Sequence, residues 1–170
     1  MNPQIIIDAL ERNKTVFQNL LQGIGKDQYL WKPAPDKWCL LEVIGHLLDE
    51  ELLDFKPRIT FTLKEQKGPL PKSVDPVGWA AGNNYLKKDY EETLKQFLVE
   101  REKSISWLKS LQSPSWSNYW EHPKYGPLTA GMFLCNWPAH DYLHIRQITR
   151  LQYQYLTNNY KESFLYAGEW

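Results

Sequence analysis

The chain has 170 residues with 20 basic and 20 acidic side chains, so its length fits one domain and its formal net charge is zero. Because there is no basic excess, and Lys87–Lys88 is the only adjacent basic pair, we expect neither nucleic acid nor an anionic membrane as a partner. The sequence has no apolar run of roughly 18 residues and no signal-peptide pattern at its start, so we expect a cytoplasmic protein.

Helical periodicity predicts a first helix from about Pro3 to Gln22, with Asn2 as its N-cap. It predicts a second helix from about Leu40 to Gln66. We expect Pro57 to kink or break this second helix, because proline has no backbone N–H to donate.

Cys39 and Glu42 have the spacing of a capping box at the start of the second helix, although cysteine is a poorer cap than serine. Two cysteines cannot form a disulfide framework. Because Cys39 and Cys135 both lie in apolar, helix-like stretches, we expect both to be small buried side chains.

The third predicted helix runs from about Asn84 to Leu111 and the fourth from about Thr129 to Tyr155, where Thr129 can cap the helix. Strand patterns are scarce. The sequence therefore predicts a single all-α domain over residues 1–170, a four-helix bundle with long crossover loops.

The three connections, residues 23–38, 67–83 and 112–128, are long for a minimal bundle and each contains proline and tryptophan. Aromatic residues in such loops either cover a core or line a pocket, and the sequence leaves both interpretations open. These residues are Trp31, Trp38, Trp79, Trp116, Tyr119, Trp120 and Tyr125.

The fourth helix carries the motif His140-Asp141-Tyr142-Leu143-His144. Four residues advance a helix by about 400°, so both imidazoles leave nearly the same face, about 6 Å apart along the axis. This geometry suits two ligands of one metal ion, and His46, in the middle of the second helix, is the natural third ligand. Taken alone, the pair also fits a polar helix face or core histidines that are bonded to backbone carbonyls.

Asp49 and Glu50 follow His46 by three and four residues and face the same way on a helix. Either could act as a base, orient a reacting water or enter the metal shell, so we take both as candidate catalytic residues. The alternative is a solvated acidic run, Asp49–Glu51.

Three neutral imidazoles leave a divalent ion its full charge and an open coordination position. Such a site could activate water or a thiol, or polarise a carbonyl. We expect zinc or nickel first, while the ligand type also fits manganese, iron or cobalt.

Other sites fit the sequence poorly. His122 lies in a loop context, so we expect it at the surface or at a pocket rim. A di-iron carboxylate bundle requires paired Glu-x-x-His motifs, which the sequence lacks. Haem is also a poor fit, because His140 and His144 share one face and cannot bind opposite sides of one ring.

Two segments resemble motifs of the DinB-like superfamily. The segment Trp38–Glu51, with the sequence WCLLEVIGHLLDEE, is similar to the second-helix motif of that group. Gly126–Thr129 (GPLT) followed by His140–Ile148 (HDYLHIRQI) is similar to its fourth-helix motif, and the ending Tyr166–Trp170 (YAGEW) also resembles tails in the group. The resemblance spans nearly the whole chain.

The resemblance implies a four-helix bundle with a three-histidine metal site, whose ligands carry over to His46, His140 and His144. Members often form dimers, so a homodimer is expected. Characterised relatives include metal-dependent transferases and isomerases that use low-molecular-weight thiols such as bacillithiol or mycothiol.

We therefore expect a metal-dependent thiol S-transferase or hydrolase acting on a small molecule, and for the transferase a low-molecular-weight thiol as cofactor. In this hypothesis Trp38 and Trp137 line the pocket for substrate or cofactor, although core packing is an alternative for either residue. A non-catalytic metal-binding module of a stress response and a bundle with structural, metal-free histidines are the other two hypotheses.

Overall fold

The structure is a computed structural model that describes residues 2–65, 68–70, 82–160 and 162–168. These residues are mostly helical. The helices are α1 (Pro3–Leu21), α2 (Lys26–Tyr29), α3 (Leu40–Leu53), α4 (Phe55–Leu63), α5 (Tyr90–Ser110) and α6 (Ala130–Asn159). Short 3-10 helices at Tyr85–Lys87 and Leu165–Ala167 and two antiparallel strands, β1 (Tyr119–His122) and β2 (Gly126–Thr129), complete the elements. With four main helices, α1, α3, α5 and α6, the predicted helical bundle is confirmed.

The starts of α1 and α6 are those the sequence predicts. The side chain of Asn2 accepts a hydrogen bond from the backbone N–H of Gln4 at 3.1 Å. The hydroxyl of Thr129 accepts one from the backbone N–H of Met132 at 3.0 Å. Each cap satisfies a backbone donor that has no partner within the helix, which stabilises the start of that helix.

The second predicted helix is interrupted at Asp54, one turn upstream of Pro57. Helix α3 ends at Leu53, Asp54 has non-helical backbone angles, and α4 begins at Phe55. Pro57 cannot donate to the carbonyl of Leu53, and in a continuous helix its ring would clash with that carbonyl. The break that the sequence assigned to Pro57 therefore falls three residues upstream, next to the carbonyl of Leu53 that Pro57 cannot bind.

The third predicted helix starts later than expected. Asn84 has a left-handed backbone with a φ of 47° and precedes the short Tyr85–Lys87 turn rather than capping a long helix. The cap is Asp89, whose carboxylate accepts the backbone N–H of Glu92 at 2.9 Å. Aspartate with its acidic first turn is a strong start signal, and the prediction missed it because apolar periodicity continues upstream.

The core consists of two clusters along the bundle. One is centred on Phe17 and Phe97, which are fully buried and pack edge to face at 5.3 Å. The other includes Trp137, which stacks on Phe55 at 5.3 Å. Cys39 is buried as expected, but the expectation for Cys135 is wrong, since Cys135 is exposed on the face of α6 opposite the core.

Strands β1 and β2 form a hairpin in the last connection that the sequence did not predict. Tyr119 pairs with Thr129 and His122 pairs with Gly126, which turns the chain with a φ of 72°. Four-residue strands carry too few positions for an alternating pattern to be recognised.

Several connection aromatics pack on the bundle. Trp31 contacts Tyr155 edge to face, Trp38 contacts His46, and Trp116 packs on the second cluster. Trp79 and the expected end of the second helix, Gln66, lie outside the described residues. Among the described helices, none has the length and apolar character needed to cross a membrane.

Candidate metal centre

His140 and His144 project from successive turns of α6, as the spacing of the motif predicts. Their Nε2 atoms are 3.2 Å apart and their ring centroids 4.4 Å apart. Two imidazoles held this close on one helix can offer both Nε2 lone pairs to a single acceptor.

His46 meets this pair from α3. Its Nε2 lies 3.4 Å from Nε2 of His140, and its ring centroid is 4.9 Å from that of His144. One ligand atom from each histidine lies within 4.8 Å of the other two. The structure therefore brings together the three histidines that the sequence singled out, in an arrangement that could hold a metal ion.

The separations of the ring nitrogens fit a metal shell. Two nitrogen ligands at 2.0–2.1 Å from zinc and at a tetrahedral angle are about 3.3–3.4 Å apart. The observed separations of 3.2 and 3.4 Å are close to that value. In a neutral imidazole only one ring nitrogen carries a proton, so three Nε2 atoms this close cannot all donate hydrogen bonds to one another. A metal ion, which accepts a lone pair from each nitrogen, satisfies all three.

The histidines are held neutral, which ligation requires. Burial and then the neighbouring His144 lower the pKa of His46 to about 3. Burial, His144, His46 and Arg101 lower the pKa of His140 to about 3. Burial also lowers the pKa of His144, against the opposing effects of Gln147 and Asp141.

The second nitrogen of two rings shows how each ring is oriented. His144 Nδ1 lies 2.8 Å from the side-chain oxygen of Gln147, so Nδ1 carries the proton and Nε2 keeps a free lone pair. Among the residues that the structure describes, Nδ1 of His46 has no hydrogen-bond partner although it is buried. Packing against Trp38, with ring centroids 5.2 Å apart, positions that ring instead.

Glu50 lies beside the triad, with Oε1 at 3.6 Å from Nε2 of His46. Burial, then the charge and hydrogen bond of Asp54, raise the pKa of Glu50 to about 8, while Arg58 opposes the rise. Burial raises the pKa of Asp54 as well, although Asp54 is paired with Arg58. Glu50 can therefore either hold or accept a proton near neutral pH.

Asp49 has a different environment from Glu50. Its Oδ2 accepts hydrogen bonds from the hydroxyl of Tyr85 at 2.5 Å and from the side-chain amide of Asn83 at 2.7 Å. Asp49, Glu50 and Glu51 are all buried, so the alternative of a solvated acidic run is wrong. Tyr85 covers Asp49, whereas Arg101 of α5 and Trp137 of α6 cover Glu51.

The two tryptophans proposed as pocket walls lie at different depths. Trp38 is partly exposed and touches His46 edge to face. Trp137 is 1% exposed and lies one layer behind Phe55, whose ring contacts His140 at 5.5 Å. Phe55, rather than the expected Trp137, therefore contacts the histidine triad directly. The position of Phe55 depends on the helix break at Asp54.

The sequence reasoning missed a buried ion network beneath the triad. Arg101 of α5 binds both oxygens of Asp141 at 2.7 Å through Nη1 and Nη2, and its Nε donates to Glu51 Oε1 at 2.7 Å. Trp137 Nε1 also donates to Glu51 Oε1, at 2.9 Å, and Asn13 donates to Asp141 at 3.0 Å. The available signal was Arg101 itself, an arginine at an apolar position of its helix.

His122 lies apart from the triad, at the end of β1. Its Nδ1 accepts the backbone N–H groups of Lys124 and Tyr125 at 2.9 and 3.1 Å. The ring borders a cavity of about 660 Å³ together with Trp120, as expected for a residue at a pocket rim.

Comparisons with known proteins agree with this architecture. The model of the DinB superfamily matches residues 9–148. The structure of YfiT from Bacillus subtilis, described as a probable metal-dependent hydrolase with an unusual four-helix bundle topology, matches with a TM-score of 0.76 at 18% sequence identity. That match covers 89% of this chain and 86% of YfiT, and at this identity it shows a shared fold. A comparison with curated proteins gives no significant match. Since the family model spans most of the helical bundle and both histidine motifs, the chain belongs to the DinB superfamily.

Proposed function

We propose that this protein is a divalent-metal-dependent hydrolase that acts on a small molecule, with His46, His140 and His144 as the metal ligands. The observation that carries the proposal is the convergence of three neutral imidazole Nε2 atoms at 3.2 and 3.4 Å beside a carboxyl group. When bound there, a divalent ion supplies Lewis acidity, which makes water a nucleophile or a thiol a thiolate near neutral pH. The description of YfiT as a probable metal-dependent hydrolase supports the reaction class.

Three acidic residues and one arginine near the triad have separate proposed roles. Glu50 exchanges a proton with the reactants at Oε1, which lies 3.6 Å from Nε2 of His46. In the metal-free protein, burial and Asp54 raise the pKa of Glu50 to about 8. The carboxyl group of Asp54, which is paired with Arg58, contacts the carboxyl group of Glu50 and keeps it in place. Asp49 supports α3 by anchoring Tyr85 rather than by touching a substrate.

Thiol S-transfer is the second candidate, because a cavity that could hold a thiol is lined by Trp38, a residue that contacts the triad. A cavity of about 460 Å³ is lined by Trp38, Tyr85, Lys32 and Lys87, among others. Trp38 also contacts His46, so this residue connects the cavity with the proposed ligands. In this second candidate function, Trp38 binds the thiol cofactor.

A homodimer, expected from the resemblance, also belongs to the proposal.

The experiment uses protein purified without a polyhistidine tag, stripped with a chelator and reloaded with zinc, nickel or manganese. Each form is assayed with p-nitrophenyl esters for hydrolysis and with glutathione plus 1-chloro-2,4-dinitrobenzene for thiol transfer. Hydrolysis that depends on the metal and is lost in His144→Ala, while the fold is retained, supports the hydrolase. Metal-dependent thiol transfer alone would favour the second candidate. Tight metal binding without turnover of either probe would favour a binding module and count against an enzyme.

A further inference from the structure

The proposed metal ligands come from two helices, and both helices are bound by the same buried arginine. His46 lies on α3 and His140 and His144 lie on α6. Arg101, which is 1% exposed, donates to Glu51 on α3 through Nε and to Asp141 on α6 through Nη1 and Nη2. Asp141 directly follows His140 in sequence.

We propose that Arg101, through Glu51 and Asp141, is the positioning residue that sets α3 against α6 so that the three Nε2 atoms converge. The inference rests on the proposed function for its consequence, metal affinity, but the helix register itself is a property of the metal-free protein. Among the described residues, Arg101 makes no hydrogen bond to any of the three imidazoles. It therefore acts on them through the positions of the helices that carry them.

The guanidinium is well suited to this role because its donors are coplanar and fixed relative to one another. The pair with Asp141 uses one N–H of each terminal nitrogen, and Nε donates to Glu51, so sliding or rotating either helix weakens several short hydrogen bonds at once. The plane itself is held by rings: those of Phe97, Phe17 and Trp137 have centroids 5.4, 5.9 and 5.9 Å from the guanidinium carbon. Metal ligands require placement to within a few tenths of an ångström, which such a clamp can supply.

Stability alone does not account for the network. Burying one arginine with two carboxylates costs desolvation, and apolar residues of the same volume often serve a fold equally well. Glu51 Oε2 is also buried without a hydrogen-bond partner among the described residues. Fixing the register between elements is the best-attested use of such buried ionic groups.

A competing explanation is electrostatic. With both carboxylates ionised the network carries a net charge of −1, which would attract a cation without any effect on helix position. Arg101→Lys separates the two explanations, because lysine keeps the charge but cannot span both carboxylates with a planar fork. The triple variant Glu51→Gln/Arg101→Met/Asp141→Asn removes all three charges while leaving acceptors for Trp137 and Asn13.

The test compares the wild type, both variants and a control in which an exposed ion pair between α1 and α5 is removed, Lys14→Met/Glu102→Gln. In the metal-free proteins, nuclear Overhauser contacts between the His46 ring and the His140 and His144 rings report helix register. The affinity for zinc, measured by competition with a chromophoric chelator, reports the consequence. Circular dichroism and urea unfolding establish that each variant is folded.

We expect the wild type and the control to show the ring contacts. In folded Arg101→Lys and in the folded triple variant the contacts should be lost or weakened, and zinc should bind at least tenfold more weakly. Ring contacts that persist in both folded variants would overturn the positioning role, whatever happens to zinc. Weaker zinc binding in the triple variant alone, with Arg101→Lys unchanged, would assign the network an electrostatic role instead. If the wild type shows the ring contacts but binds no zinc, the metal-dependent function fails while the contacts still decide the inference.

Discussion

Gly45 and Tyr85 are in direct contact, one residue away from His46: a Cβ atom at Gly45 would lie 2.6 Å from Cδ1 of the Tyr85 ring. The absence of a side chain at Gly45 lets the fully buried Tyr85 ring lie against α3 and reach Asp49. We therefore predict that Gly45→Ala displaces the ring and lowers the free energy of unfolding by about 1–3 kcal/mol. Urea unfolding at fixed pH measures the effect.

The matched control is the same substitution in a Tyr85→Ala background. Alanine is a better helix former than glycine by up to about 1 kcal/mol, so Gly45→Ala should be neutral or stabilising once the ring is gone. An equal loss of stability with and without Tyr85 would show that the clash is not the cause.

We predict that substitutions of Glu50 and Asp49 affect different properties of the protein, kcat for Glu50 and stability for Asp49. Glu50→Gln removes the carboxylate nearest His46 and should lower kcat for metal-dependent ester hydrolysis by about a hundredfold, with the metal content unchanged. Asp49→Asn weakens the anchoring of Tyr85, so its main effect should be on stability. Metal analysis, steady-state kinetics and urea unfolding of both variants provide the comparison, and a larger loss of kcat in Asp49→Asn would assign the base to Asp49.

The stability of the metal-free protein should depend on pH through its histidines. Burial first of all lowers the pKa of His46 and of His140 to about 3 in the folded state, whereas histidines in the unfolded chain titrate near 6.5. Between these values the unfolded state binds more protons, so the free energy of unfolding falls as the pH is lowered from about 6.5 towards 3. Each histidine contributes a slope of up to about 1.4 kcal/mol per pH unit.

Glu50 contributes with the opposite sign. Its pKa of about 8 means that the folded state binds more protons than the unfolded state between about pH 4.5 and 8, so its contribution is lost as the pH rises. Urea unfolding of the metal-free wild type and of His46→Gln/His140→Gln at several pH values isolates the histidine part. The double variant should have a shallower slope below pH 6.5, and identical slopes would contradict neutral burial of the two rings.

The specificity of the histidine cluster can be tested by single substitutions. His46→Ala, His140→Ala and His144→Ala should each weaken zinc binding at least tenfold, because each removes one of three converging nitrogens. His122→Ala is the control, since His122 is bound to the turn between the two strands. Calorimetric titration with zinc measures all four, and a larger effect of His122→Ala would mean that the wrong histidines have been chosen.

The candidate site was more predictable from sequence than its surroundings. His140 and His144 are four residues apart, and a helix alone places such residues on one face. His46 was chosen from its position in the middle of the second helix, and the family resemblance agreed with that choice. Glu50 followed from its spacing to His46. The positions of Phe55 and Tyr85 did not, because they depend on the break at Asp54 and on a close approach at Gly45 that no local pattern encodes.

Buried charge was the least predictable feature. Acidic residues in sequence normally indicate a solvated surface, so Glu51 gave no sign that it meets Arg101, 50 residues away in sequence. The pairing is decided by how three helices pack, which is long-range information. The structure of the last connection could not be predicted for a related reason. Its strands, Tyr119–His122 and Gly126–Thr129, are stabilised by pairing with each other rather than by local sequence preference.

We propose that His46, His140 and His144 hold a divalent metal. The most direct measurement is elemental analysis of untagged protein, purified without added metal and again after reconstitution, beside the double variant His140→Ala/His144→Ala. We predict close to one equivalent of a transition metal such as zinc or nickel in the wild type and little in the folded variant. A wild-type protein that contains no metal and takes up none on reconstitution would contradict the claim and leave the three histidines as structural residues.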